Sequence, residues 1–129
     1  MKEGTFTFVD ASSYKGSYKV DGDGARTRCG QGTLVQGPEV SEGTWLDDAL
    51  HGPGKVTFAT GAVYEGAFSQ GRFAGEGSYS WPDGARYVGS WRDGKFHGKG
   101  CYTDAEAVNW AGQYHNGKYY NGKAYATLR

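Results

Sequence analysis

The stretch YEGAFSQGRFAGEGSYSW, residues 64–81, decides the fold of this chain. Its aromatic residues and glycines alternate with polar or small residues at a period of two. This spacing is typical of β-strands, because successive strand side chains point to opposite faces. The pattern therefore predicts two strands, each with an aromatic face and a mostly polar face. The predicted aromatic face carries Tyr64, Gly66, Phe68, Gly75, Gly77, Tyr79 and Trp81.

A short turn is predicted between the two alternating runs. Residues 70–73 separate them, and Gly71 readily adopts the positive φ that tight hairpin turns require. Asp-Gly and Asn-Gly pairs are further turn signals, and they occur at residues 83–84, 93–94 and 116–117. The two runs and their turn therefore predict a β-hairpin.

The same hairpin signature recurs along the chain. An aromatic-x-Gly-x-aromatic unit has central glycines at Gly43, Gly66, Gly89 and Gly112, each 23 residues after the last, and Gly16 lies 27 residues before Gly43. Self-similarity at a fixed period of this length indicates a repeat array. A second unit, Gly-x-Gly, keeps step with the first at residues 30–32, 52–54, 75–77 and 98–100.

The composition explains how such hairpins would pack. Aromatic residues make up 16% of the chain and there are 23 glycines, so rings and glycines dominate the apolar patterning. Glycine weakens a strand interior, and we therefore interpret the repeated glycines as hollows that rings from neighbouring strands fill. One hairpin is marginal in water, whereas stacked hairpins bury their aromatic faces together. The expected fold is all-β: a single-layer open antiparallel sheet of tandem stacked β-hairpins.

The repeats together predict one domain over residues 1–129. We expect a half repeat at 4–13, repeats that begin near 14, 41, 64 and 87, and a partial repeat at 110–129. The pattern weakens at both ends, where Ser41 replaces an aromatic, residues 20–24 are extra, and Asn121 and Lys123 stand where Gly-x-Gly would fall. These departures mark either capping repeats, which are commonly atypical, or binding surfaces.

The charge balance and hydropathy of the chain exclude some classes of function. Fourteen Lys and Arg balance fourteen Asp and Glu, so no bulk charge favours binding to nucleic acid. The chain begins without the apolar run of a signal peptide, and no stretch approaches the ~18 apolar residues of a membrane span. The expectation is a soluble, cytoplasmic protein that does not bind nucleic acid.

The spacing of reactive residues argues against catalysis and metal binding. Each repeat adds two strands, so equivalent positions move about 10 Å per repeat. Cys29 and Cys101 are then about 30 Å apart, too far for a disulfide, and His51 and His97 about 20 Å apart, too far to share a zinc ion. His115 has no Ser or Cys at a defensible catalytic spacing. We therefore predict no enzyme activity, metal or cofactor.

The Tyr-x-Gly-x-aromatic unit followed by Gly-x-Gly every 23 residues resembles the MORN repeat, named for a membrane occupation and recognition nexus. The match is most specific from Tyr64 to Tyr114. The run from Gly61 through residues 81–87 to Trp110 looks like the short MORN repeat-containing protein two subgroup. The resemblance implies a non-catalytic scaffold at a cytoskeletal assembly of the ciliary or axonemal kind.

We predict that this scaffold binds proteins through its aromatic strip. A curved sheet of this kind is suited to an amphipathic helix or to an added strand, and its end strands are suited to end-to-end self-association. The predicted partner-binding residues are Tyr64, Phe68, Tyr79, Trp81, Tyr87, Trp91, Tyr102, Trp110 and Tyr114.

Two alternatives remain open from the residues alone. One is a peripheral membrane module that binds anionic phospholipid through clustered basic residues. The other is an aromatic module whose ring faces bind choline or a sugar. The candidate anion-binding residues are Arg72, Arg86, Arg92, Lys95 and Lys99.

Overall fold

The computed structural model describes residues 2–120 and 123–128 and confirms the all-β prediction. Within these described residues, twelve strands form one antiparallel sheet in chain order, so every strand pairs with its neighbours in sequence. The predicted departure at Asn121 lies outside the described residues. The strands are β1 (Lys2–Thr7), β2 (Ser13–Val20), β3 (Arg26–Gln36), β4 (Glu39–Leu46), β5 (Ala49–Thr57), β6 (Val63–Ser69), β7 (Arg72–Ser80), β8 (Arg86–Arg92), β9 (Lys95–Thr103), β10 (Asn109–His115), β11 (Lys118–Tyr120) and β12 (Tyr125–Ala126).

From β4 to β11 the connections alternate between two-residue turns and five-residue loops. In the turn Gln70-Gly71 both residues have positive φ, 51° and 81°, as a tight hairpin of right-handed twist requires. The prediction that the turn extends to Phe73 is wrong, because β7 already begins at Arg72. The other two-residue turns in this part of the sheet are residues 47–48, 93–94 and 116–117, and the five-residue loops are 58–62, 81–85 and 104–108.

The first repeat departs from this alternation. A five-residue loop joins β2 to β3, where a two-residue turn would otherwise stand, and this loop holds most of the extra residues noted in the sequence. Asp21 Oδ1 accepts hydrogen bonds from the amides of Asp23 and Ala25 at 2.9 and 3.0 Å. The loop is therefore a self-contained surface turn.

A row of glycines crosses the sheet at right angles to the strands. In each of the nine pairings from β1 to β10, a glycine of one strand lies opposite a glycine of the next. Both sequence units contribute to this glycine row. Its members are Gly4, Gly16, Gly32, Gly43, Gly54, Gly66, Gly77, Gly89, Gly100 and Gly112.

Close packing explains why these positions are glycine. A Cβ on Gly66 would lie 2.4 Å from the Cα of Gly77, and a Cβ on Gly77 would lie 2.2 Å from the hydroxyl oxygen of Tyr64. The Tyr64 ring thus lies over the glycine pair, and its hydroxyl donates to the carbonyl of Ala67 at 2.8 Å. Tyr14 over Gly32 and Tyr87 over Gly100 repeat the arrangement. The predicted glycine hollows are therefore confirmed.

The rings form a core one layer deep. Tyr64 is fully buried, because Phe73 stacks on it at a centroid distance of 3.9 Å and an interplanar angle of 8°. Trp91 of the next hairpin packs edge-on to Tyr64 at 5.3 Å, and its indole Nε1 donates to the carbonyl of Gly77 at 3.0 Å. Each hairpin is therefore covered by residues of its neighbours as well as its own.

The N-terminal hairpins fill the same positions differently. Arg28 stands where Phe73 stands two repeats later, and its guanidinium lies 4.8 Å from the ring centroid of Trp45. Its Nε donates to Asp48 at 2.8 Å. Partial burial acts to raise the pKa of Asp48, but the hydrogen bonds from the Arg28 amide and guanidinium outweigh it, and the pKa is lowered.

Substitution within the glycine row should destabilise the fold according to the space at each position. Gly77→Ala places a methyl group against the pinned Tyr64 ring and should cost about 1–3 kcal/mol of unfolding free energy. Gly54→Ala should cost less, because Ser41 leaves no tyrosine there and the added Cβ meets the Phe68 ring at 3.1 Å. Urea unfolding measures both.

The matched control is Gly22→Ala, in an exposed loop with nothing within 4 Å of the added Cβ. It should leave stability unchanged or raise it slightly. Equal urea midpoints for Gly77→Ala and Gly22→Ala would show that the glycine row does not constrain the sheet.

Alkaline pH should destabilise the sheet through its buried tyrosines. Burial raises the pKa of Tyr64 to about 12, that of Tyr114 to about 12, and that of Tyr87 further still. An unfolded tyrosine loses its proton near a pH of about 10. Above that pH the folded state binds more protons than the unfolded state, so stability is present below it and falls as pH rises.

The measurement is the urea midpoint as a function of pH between neutrality and the alkaline range. Tyr64→Phe should make the alkaline loss less steep, whereas Tyr125→Phe, at a ring that is 53% exposed, should not. An unchanged slope in Tyr64→Phe would contradict this account.

Candidate binding surfaces

The predicted partner-binding rings share the aromatic face but differ widely in exposure. Six of them are buried, with relative exposures from 0 to 6%, so they support the sheet and a partner has little access to them. Tyr79 and Trp81 are half-buried, and Trp110 is 36% exposed. Among the predicted residues, the last three are therefore the ones that a partner can contact directly. The buried members are Tyr64, Phe68, Tyr87, Trp91, Tyr102 and Tyr114.

Trp110 lies at the C-terminal end of this face beside the loop 104–108. Its indole Nε1 donates to Asp104 Oδ2 at 3.3 Å, and its ring packs edge-on to Tyr119 at 5.9 Å. The backbone amide of Val108 donates to Asp104 Oδ1 at 2.9 Å, and this bond is the main reason that the pKa of Asp104 is lowered. The ring is thus exposed but held in one position.

The opposite face carries an open groove that crosses the strands. It runs from β1 to β6 along the glycine row and has a cavity volume of about 960 Å³. The floor of the groove is the backbone of the glycine row, because the Cβ positions of these glycines are directed at the aromatic face or at the neighbouring strand. The groove walls are side chains of the polar face, namely Glu3, Thr5, Lys15, Gln31, Thr33, Glu42, Pro53, Lys55 and Glu65.

The charges in the groove are mixed. Glu42 on β4, Lys55 on β5 and Glu65 on β6 are direct cross-strand partners. No ion pair within 4.0 Å is found for these three side chains among the described residues. The acidic and basic groups of this wall therefore face the groove without forming ion pairs with one another.

The five candidate anion-binding residues all project from this polar face, in its C-terminal half. Arg92 and Lys95 are cross-strand partners beside the turn 93–94, and Lys99 lies further along β9 opposite Gln113. Arg86 pairs with Thr103 at the other end of β8. Arg72 differs from the rest, because it lies 4.0 Å from Asp93, so part of its charge is neutralised.

The histidines have roles that the sequence did not predict. His51 Nδ1 accepts the amide of Gln70, and His97 Nδ1 accepts the amide of Asn116, so each histidine binds the turn of the next hairpin. His97 also lies beside His115, with ring centroids 5.0 Å apart. Within residues 2–120 and 123–128, no three His, Cys, Asp or Glu side chains are grouped to hold a metal ion. Cys29 and Cys101 are free thiols.

Sequence reasoning missed the second ring of each stack. Phe73 lies on Tyr64 and Phe96 lies on Tyr87, with nearly parallel planes in both pairs. Their signal was present, because Phe73, Phe96 and Tyr119 are each 23 residues apart and each follows a turn by two residues. The groove was missed as well, because only the pairing register shows that the two glycine units fall in one row.

Comparison with known proteins supports the resemblance to the repeat family. The family model described as MORN repeat matches residues 42–63, 64–86 and 87–106, which together make up half of the chain. No curated protein matches the chain at a significant level. In the described part of the chain no helix is both long and apolar enough to cross a membrane. With three matched copies, the chain belongs to the MORN repeat family.

Proposed function

We propose that this chain is a non-catalytic protein-binding scaffold whose groove on the polar face holds a linear segment of a partner. MORN repeats are generally modules that bind proteins or membranes, and the family is non-catalytic. The observation that carries the proposal is the groove, whose floor is backbone and whose walls are charged and polar side chains. Because the groove lies on the polar face, we place the main contact with the partner there and not on the buried aromatic strip.

The dimensions of the groove favour a single linear segment. The six strands from β1 to β6 span about 24 Å at the usual strand spacing. A helix of about 16 residues covers that length. The mixed charges of Glu42, Lys55 and Glu65 face the groove, so they favour a segment with complementary charges along one side. An amphipathic helix meets both requirements; strand addition at a sheet edge is the other mode.

The assembly in which the scaffold works is part of the proposal. The resemblance to short MORN-repeat proteins supports a cytoskeletal, ciliary or axonemal assembly and a cytoplasmic location. The finer assignment to the protein two subgroup stays a prediction, as do the repeat boundaries.

Photo-crosslinking from the groove tests the function. A photoreactive residue at Lys55, in the full chain expressed in ciliated cells, should capture partner proteins of the cytoskeleton or axoneme. Lys55→Trp, which fills the groove, should then weaken binding of the captured partner at least about tenfold, or about 1.4 kcal/mol.

The matched control is Val9→Trp, which adds the same ring to a fully exposed loop position. Equal affinity of Lys55→Trp and Val9→Trp for the partner would contradict the groove as the site. Capture of proteins from unrelated assemblies alone would contradict the cytoskeletal placement.

Binding to anionic phospholipid is a second candidate function. It is favoured by the shared face of Arg86, Arg92, Lys95 and Lys99, which would approach a surface together. Flotation with vesicles that contain phosphatidylserine should then show binding that weakens as salt rises, because exposed charges are screened. Absence of salt-sensitive binding would eliminate this candidate.

A further inference from the structure

The polar face changes character between its two halves. One row of side chains crosses the strands next to the glycine row. On β4 to β6 that row consists of Glu42, Lys55 and Glu65. On β8 to β10 the same row consists of Val88, Cys101 and Ala111, which pair directly with one another. Val88 is 43% exposed, so the second half of the row is an open apolar strip.

Basic side chains flank this strip on both sides. Arg86 lies two residues from Val88 along β8, and Lys99 lies two residues from Cys101 along β9 on the other side of the strip. Both are exposed. Within the described strands β7–β11, the acidic residue on this face is Glu76. Its carboxylate accepts a hydrogen bond from the Ser90 hydroxyl at 2.7 Å. The strands beside the strip therefore carry an excess of basic side chains, and the other carboxylates of this region lie in the connecting turn and loops, at Asp83, Asp93, Asp104 and Glu106.

We propose that this surface, the strip Val88–Cys101–Ala111 with its flanking Arg86 and Lys99, binds an acidic amphipathic segment of a partner protein. The apolar stripe of the segment packs on the strip, and carboxylates on either side of that stripe pair with the two basic residues. The proposal rests on the proposed function, because the strip continues the wall of the groove. It names the chemical class of segment that the scaffold selects.

The side chains of the strip favour a protein segment over a membrane. Valine, cysteine and alanine are short, whereas arginine and lysine beside them are long. For the strip to reach the acyl region of a bilayer, the charged groups would have to enter with it. The strip lacks the projecting Trp, Phe or Leu that anchors surface-bound proteins in the interface. A segment narrow enough to lie between Arg86 and Lys99 contacts the strip without that cost.

Peptide binding to the full chain tests the proposal. The probe is a synthetic helical peptide with one leucine stripe flanked on both sides by glutamate, followed by fluorescence anisotropy. A matched peptide carries lysine in place of glutamate. The glutamate peptide should bind, and the lysine peptide should not. Lys99→Glu should weaken binding of the glutamate peptide at least about tenfold, because it sets like charges together.

The control variant is Lys2→Glu, which makes the same charge change on β1, outside the groove and away from the strip. It should leave peptide affinity within about twofold, a change of about 0.4 kcal/mol. Val88→Ser should weaken binding without altering charge. Circular dichroism and urea midpoints of each variant show whether the sheet is intact, and Arg86→Glu replaces Lys99→Glu if the latter does not fold.

Three outcomes overturn the proposal. One is equal loss of affinity in Lys2→Glu and Lys99→Glu, which indicates unspecific attraction. Another is no binding of the glutamate peptide. The third is binding of phosphatidylserine vesicles that Lys99→Glu abolishes while the peptide fails to bind, which assigns the surface to lipid. Failure of the proposed function is seen separately, when Lys55→Trp binds the captured partner as tightly as the unsubstituted chain does.

Discussion

The close approach of glycine backbones in adjacent strands is the constraint on which the rest of this structure depends. Where Gly66 meets Gly77, and Gly89 meets Gly100, one strand leaves no room for a side chain on the other. A tyrosine hydroxyl fills the remaining space and donates to a backbone carbonyl. Because the ring can lie flat only over glycine, the same contact fixes the register, buries the ring and exposes backbone on the opposite face.

This contact lets a single-layer sheet have a core at all. A sheet face normally needs a second layer to cover it. Here the rings of Tyr64 and Tyr87 are covered by Phe73 and Phe96, and Trp91 contacts both hairpins. Stability is then a sum over neighbouring hairpins, as in other repeat arrays. Because the core lies on the aromatic face and the polar face contributes little to it, the side chains of the polar face are free to contact other molecules.

Much of the fold could be predicted from the sequence, because its signals are local. The alternation around Tyr64 and the Asp93-Gly94 turn predict strands and hairpins, and the period of 23 residues predicts their stacking. The candidate binding surfaces could not be predicted, because they depend on the pairing register between residues that are distant in sequence. Val88 and Ala111 belong to one strip only because both pair with Cys101. Burial of Tyr87 and Trp91 likewise depends on rings supplied by other strands, so their accessibility could not be predicted from the sequence.

The hairpin tips give the array a polarity. The amide of Gly71 donates to the carbonyl of Leu50, that of Gly94 to Phe73 and that of Gly117 to Phe96, at 2.8, 3.1 and 2.8 Å. Each of these three tips is thus hydrogen-bonded to the hairpin that precedes it in the chain. A chain that emerges from the ribosome amino end first therefore offers every new hairpin a finished template. Hydrogen bonds of this direction suit a sheet that is extended hairpin by hairpin from its amino-terminal end.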